Sequence, residues 1–201
     1  MRASASRAPG LTSESPFMYR IAVASLALFT LPLAHAAEAP APGTWPKIGF
    51  IDTARPFCLA RTYDAAHMKA HPKQKVTGIA LAYEPTELIT DSDGRVRFGY
   101  TLSATMTGLK PVLAHSGTCR LGKKADQLIC EADGDGGVFT LTSQADGKAL
   151  LDNPDYLTVI NDEATDDPET EFVHIESKDD QASFLLGTSK GGLCDTSLGG
   201  G

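Results

Sequence analysis

No C-x-x-C pair occurs in the sequence: Cys58, Cys119, Cys130 and Cys194 stand apart. That spacing excludes a zinc knuckle, a thioredoxin-like redox motif and c-type haem attachment. Positive charge is scarce, with 18 Lys and Arg against 25 Asp and Glu, a formal net charge of −7. Such a balance repels nucleic acid and anionic lipid. An apolar run of the roughly 20 residues that a membrane-spanning helix requires is also missing. The run Ile21 to Leu33 is shorter and is interrupted by Pro32. Histidine is sparse, and none follows Ser189. Gly187-Thr188-Ser189-Lys190-Gly191 matches G-x-S-x-G, but a nucleophile elbow needs a helix and then an acid and a histidine after the serine. The segment reads as a glycine-rich turn behind a strand.

What is present begins with an export signal. Met18, Tyr19 and Arg20 precede the apolar run, and Ala34-His35-Ala36 follows it. Positive n-region, apolar h-region and A-x-A site stand in the order of a secretory signal peptide. The sequence therefore predicts a signal peptide over 1–36, with Met18 as an alternative start, and cleavage between Ala36 and Ala37. A Pro/Ala-rich spacer is expected over 37–47, one β-rich domain over 48–197, and a glycine-rich disordered tail over 198–201. Removing 1–36 deletes Arg2, Arg7, Arg20 and Glu14, which leaves 15 basic and 24 acidic residues and a charge of −9. The expected location is the periplasm or the cell exterior, with no membrane span after cleavage.

The apolar pattern past residue 75 alternates with period two. Val96, Phe98, Tyr100, Leu102, Ala104 and Met106 interleave with polar or small residues, so one face of that strand is core. Val76 to Tyr83 reads as the strand before it. Further β-prone runs lie around Val112, Cys119 to Leu121, Leu128 to Cys130, Val138 to Thr142, Tyr156 to Ile160, Phe172 to Ile175 and Ser183 to Leu186. Turn residues punctuate them at short intervals. The expected fold class is mainly β, an antiparallel sandwich or flattened barrel, with one short N-terminal helix capped by Asp64 and ending before Pro72.

An exported chain with four cysteines is expected to oxidise them. If Leu121 and Leu128 face each other across a hairpin closed by Gly122 to Gln127, Cys119 and Cys130 fall opposite in the same register, close enough to bridge. Cys58 is then left with Cys194.

Asp91-Ser92-Asp93-Gly94 and Asp133-Gly134-Asp135-Gly136 look like the openings of calcium loops. Where an EF-hand wants oxygen, glycine and glutamate, the chain has Arg95, Val96 and Leu102, or Gly137, Val138 and Gln144; both read as hairpin turns. The acidic run Asp162, Glu163, Asp166, Asp167, Glu169 and Glu171 reads as a solvated loop, open to a cation or a basic protein. His67 and His71, four apart on the expected helix, have the spacing that lets two imidazoles share one zinc or copper ion. Asp64, or His115 or His174 across the fold, would add a further ligand. The competing reading leaves these residues as a cap and surface histidines, with no cofactor.

Cys58 to Val76, with Tyr63-Asp64-Ala65-Ala66-His67 and His71-Pro72-Lys73-Gln74-Lys75-Val76, resembles a family of uncharacterised exported bacterial proteins, and so does Cys130 to Leu141. The resemblance implies secretion and a single domain, with no activity to carry over. Two classes of function stay open. One is a non-catalytic periplasmic domain that binds a protein, an envelope component or a metal, with a cationic partner suited to its charge. The other is an envelope hydrolase with a site assembled from scattered carboxylates and histidines.

Overall fold

The computed structural model describes residues 45–85, 88–110, 112–161 and 171–197, and of Thr196 and Ser197 the backbone only. The signal peptide, its cleavage site, residues 37–44 of the spacer, the acidic residues 162–169 and the tail lie outside the described residues. The strands are β1 (Lys47–Ile48), β2 (Ile51–Asp52), β3 (Phe57–Thr62), β4 (Val76–Tyr83), β5 (Leu88–Thr90), β6 (Val96–Met106), β7 (Leu113–Leu121), β8 (Gln127–Ala132), β9 (Val138–Ser143), β10 (Lys148–Asp152), β11 (Tyr156–Ile160), β12 (Phe172–Glu176) and β13 (Ser183–Thr188). A helix α1 (Ala65–Ala70) joins β3 to β4, and α2 (Leu193–Ser197) follows β13.

Eight of these strands close an antiparallel barrel in the order β7-β8-β9-β10-β13-β3-β4-β6, with β6 pairing back onto β7. Closure removes the raw edges that a sheet of this length would expose. The alternation read in β6 is the inward column: Phe98, Tyr100, Leu102 and Ala104 are buried. Phe139, Phe184, Leu59 and Leu128 meet them from other strands with no exposed surface, so the lumen is packed with side chains. Below it the β1–β2 hairpin inserts Ile48 and Ile51 into the core, with Trp45 packed against them. Trp45, packed on the core, and Lys47, in β1, fall in the expected spacer.

The ladders differ in length around the barrel. β3 pairs with β4 along its whole length, whereas β3 meets β13 only at Ala60↔Gly187 and Leu59↔Thr188, beside a bond from Ser189 N to the Cys58 carbonyl. That seam is reinforced by side chains. At its foot Cys58 bridges to Cys194 of α2, and the pair packs with Ala80 and Ala82 on the outer face. At its top the α1 connector holds the 3-10 turn Asp179–Gln181, through Lys73 to Asp179, His71 to Asp180 and the Lys75 amide to Gln181 Oε1.

The second bridge joins Cys119 to Cys130, which are register partners of β7 and β8, as are Leu121 and Leu128. The Gln127 carbonyl accepts from Gly122 N to close that hairpin. The sequence reading has one helix, and the described residues include two short ones, α1 and α2. α2 is too brief for periodicity to reveal it, and its position is set by the Cys194 bridge rather than by an apolar stripe. Strands β3 and β10 are also absent from the sequence reading, because their apolar residues run together without clean alternation.

Candidate functional site

Three clefts among the described residues lie outside the packed lumen. The first is built by α1, whose side chains are all at least partly exposed. Asp64 caps the helix, accepting at Oδ1 from the His67 amide at 2.7 Å. The ring of His67 stacks between Tyr63 at 4.5 Å and His71 at 4.3 Å, and Arg61 lies over the ring of Tyr63, 5.4 Å from its centre. These rings, with Gln74, Asp179, Asp180 and Ser183, line a hollow of about 270 Å³. It opens where the β3–β13 ladder has stopped.

The hydrogen bonds fix the tautomers here. Gln74 is buried and its NH₂ donates to the Val76 carbonyl, so its Oε1 accepts from His67 Nε2 at 3.0 Å. His71 turns Nδ1 to Asp180 at 3.0 Å. The free lone pairs are therefore on His67 Nδ1 and His71 Nε2. They lie in ring planes only 23° apart, so they run side by side and do not converge as a shared ion requires. The expected set of Asp64, His67 and His71 is a cap and an imidazole stack in this structure. His115 and His174 are engaged elsewhere. Among the described residues no three His, Cys, Asp or Glu side chains converge as a metal site.

A second cleft, about 630 Å³, runs along the foot of the β3–β13 seam. It is lined by Pro56, Phe57, the Cys58–Cys194 bridge, Ser189, Lys190 and Asp195. The G-x-S-x-G segment is here. Ser189 Oγ donates weakly to the Gly191 carbonyl at 3.4 Å, and no histidine lines the cleft. Ser189 lacks the base that would activate it.

The third cleft, about 390 Å³, lies on the β11–β12 ribbon. Tyr156 pairs with Glu176 and Thr158 with His174, so these side chains share one face. Asp155, Ser177 and Lys178 complete the lining. This group comes nearest to the hydrolase reading, with two carboxylates, a phenol and an imidazole. A general acid needs a raised carboxyl. Glu176 goes the other way, held below the usual range by its hydrogen bond from Lys178 at 2.6 Å. His174 Nδ1 is occupied by the Thr158 hydroxyl at 2.9 Å.

The calcium-like segments are turns. Gly94 N donates to the Asp91 carbonyl, and the two carboxylates pair with Arg97 and Arg95. The 133–137 segment joins β8 to β9, with positive φ at Gly134 and Gly137. Sequence reasoning passed over the clasp of His71, Lys73 and Lys75 on Asp179–Gln181, residues about a hundred positions apart with no pattern to connect them. No helix among the described residues is long and apolar enough to cross a membrane. No protein-family model matches the chain, and neither a curated protein nor a solved structure is similar to it.

Proposed function

We propose that this chain is an exported, non-catalytic binding domain of the bacterial periplasm or cell exterior, acting on a protein or an envelope component. One observation carries the reading: in the α1 and ribbon clefts, ionisable groups pair with one another instead of converging on an open point. His71 with Asp180, Lys73 with Asp179 and Glu176 with Lys178 are mutual pairs. Such pairs shape a surface and occupy the groups they join. The packed lumen agrees, since it offers no internal cup for a small ligand. Two disulfides fit an oxidising compartment. The family of uncharacterised exported proteins that the chain resembles is consistent with secretion.

The charge of −9 after signal removal favours a cationic partner through steering. Binding of the chain from Ala37 to isolated cell-wall sacculi and to a basic protein such as lysozyme, at low and high salt, tests the proposal. Saturable binding that weakens with salt supports it. Turnover of ester, glycoside or peptide substrates that Glu176→Gln or Asp155→Asn abolishes would replace it with the hydrolase reading.

A further inference from the structure

We infer that the cleft on the β11–β12 ribbon is a saccharide subsite, an assignment that rests on the binding-domain reading and gives it a ligand class. The side chains of this cleft stand on a firm base. Leu157, Val159 and Ile175 of the two strands have no exposed surface and belong to the main core. Asn153 adds a buried bond, its Nδ2 donating to the Ile175 carbonyl at 2.8 Å. Tyr156, His174 and Glu176 adjoin these inward residues in the strands and so project from the opposite face.

Local bonds then orient the groups. The Thr158 hydroxyl holds His174 Nδ1 at 2.9 Å, which leaves the ring's Nε2 for another partner. Lys178 takes Glu176 Oε2 at 2.6 Å and leaves Oε1. The rings of Tyr156 and His174 meet edge to face with centres 5.4 Å apart, forming an apolar corner among these polar groups. Among the described residues, the carboxylate of Asp155 and the hydroxyls of Tyr156 and Ser177 make no side-chain hydrogen bond.

The mixture narrows the ligand. Two carboxylates repel a phosphate or another acid, and a cation would find Glu176 already held by Lys178. An apolar molecule would strip water from donors and acceptors alike and replace none of it. A hydroxyl, by contrast, donates to a carboxylate and accepts from an ammonium or a phenol. A pyranose carries several hydroxyls around a ring whose C–H face packs on an aromatic side chain. At about 390 Å³ the cleft is of a size for such a ligand.

The experiment titrates the ¹⁵N-labelled chain from Ala37 with maltotriose, cellotriose and the trimer of N-acetylglucosamine, read as amide shifts. At least one trisaccharide should give saturable shifts concentrated at residues 155–158 and 174–178, with β3–β4 unmoved. Tyr156→Ala should weaken that binding about tenfold, the worth of one aromatic contact. Asp155→Asn should weaken it about threefold by removing the charge from one hydrogen bond. Saturation with none of the three, shifts centred outside the cleft, or an affinity that neither variant changes would each overturn the inference. If Tyr156→Ala fails to fold, Asp155→Asn decides, because that residue is exposed and precedes β11. Binding to sacculi or lysozyme without any trisaccharide shift sinks the subsite and leaves the binding-domain reading standing. Absence of all binding sinks both.

Discussion

Tyr100→Phe should stabilise the protein, and by more at alkaline pH. Tyr100 is 4% exposed, and its hydroxyl is buried without a hydrogen-bond partner. A buried, unsatisfied hydroxyl costs about 1–3 kcal/mol, so removing it should gain about 1 kcal/mol. At this size that is about 2–4 °C in Tm. The ring itself keeps its edge-on contact with Phe139 at 5.3 Å. Burial, helped by Asp133 and Glu131, raises the Tyr100 phenol above its usual range. The folded chain therefore keeps it neutral while the unfolded chain ionises near pH 10, and wild-type stability falls as pH climbs past that point. At pH 11 this one group accounts for about 1.4 kcal/mol of loss, which Phe cannot incur. Urea melts of both proteins at pH 8 and pH 11 read the two contributions separately. The bridges are safe from reshuffling, since no cysteine is free. A Phe variant weaker than wild type by 1 kcal/mol at pH 8 would mean that the hydroxyl has a partner, and the argument would fail.

Tyr83→Phe should behave likewise, because burial raises that phenol too and its hydroxyl is also unpartnered. Opening the Cys58–Cys194 bridge with paired alanines releases a loop of separation 136, which chain entropy values at about 5 kcal/mol; calorimetry should show a loss of that order, far above the cost of an exposed pair. Gly117→Ala should destabilise by about 3 kcal/mol or more, and adding Tyr100→Phe should not rescue it. An added Cβ would lie 2.7 Å from the Tyr100 hydroxyl but closer still to the Glu131 carbonyl oxygen, which belongs to the backbone. Asp64→Ala should cost about 1 kcal/mol of cap energy, seen as faster amide exchange over α1 with the barrel unchanged. Intact-mass measurement on periplasmic extract should find a chain that begins at Ala37.

The barrel was legible where side chains alternate. β6 could be read because its inward column is apolar over eleven residues and its outward one is polar or small. The Cys119–Cys130 register followed from arithmetic on a hairpin, a local rule. Closure of β13 onto β3 is non-local and carries two pairs, so no periodic signal marks it. The histidines show a different limit. Spacing placed His67 and His71 on one helical face, but stacked rings and convergent ligands share that spacing, and the choice between them depended on Gln74 and Asp180.

The β3–β13 seam also bears on the order of events during biogenesis. The first barrel strand meets its second neighbour only when the last strand is available, so the sheet is an open ribbon for most of the chain's synthesis. Topologies that wait for distant partners fold slowly and expose strand edges meanwhile. If the chain is exported as proposed above, that delay suits transport, because the barrel cannot close until β13 has crossed. The vulnerable interval comes just after release. The Cys119–Cys130 hairpin can oxidise at once, whereas the Cys58–Cys194 bridge has to wait for closure, so a mispaired cysteine in that interval would leave the barrel unlatched.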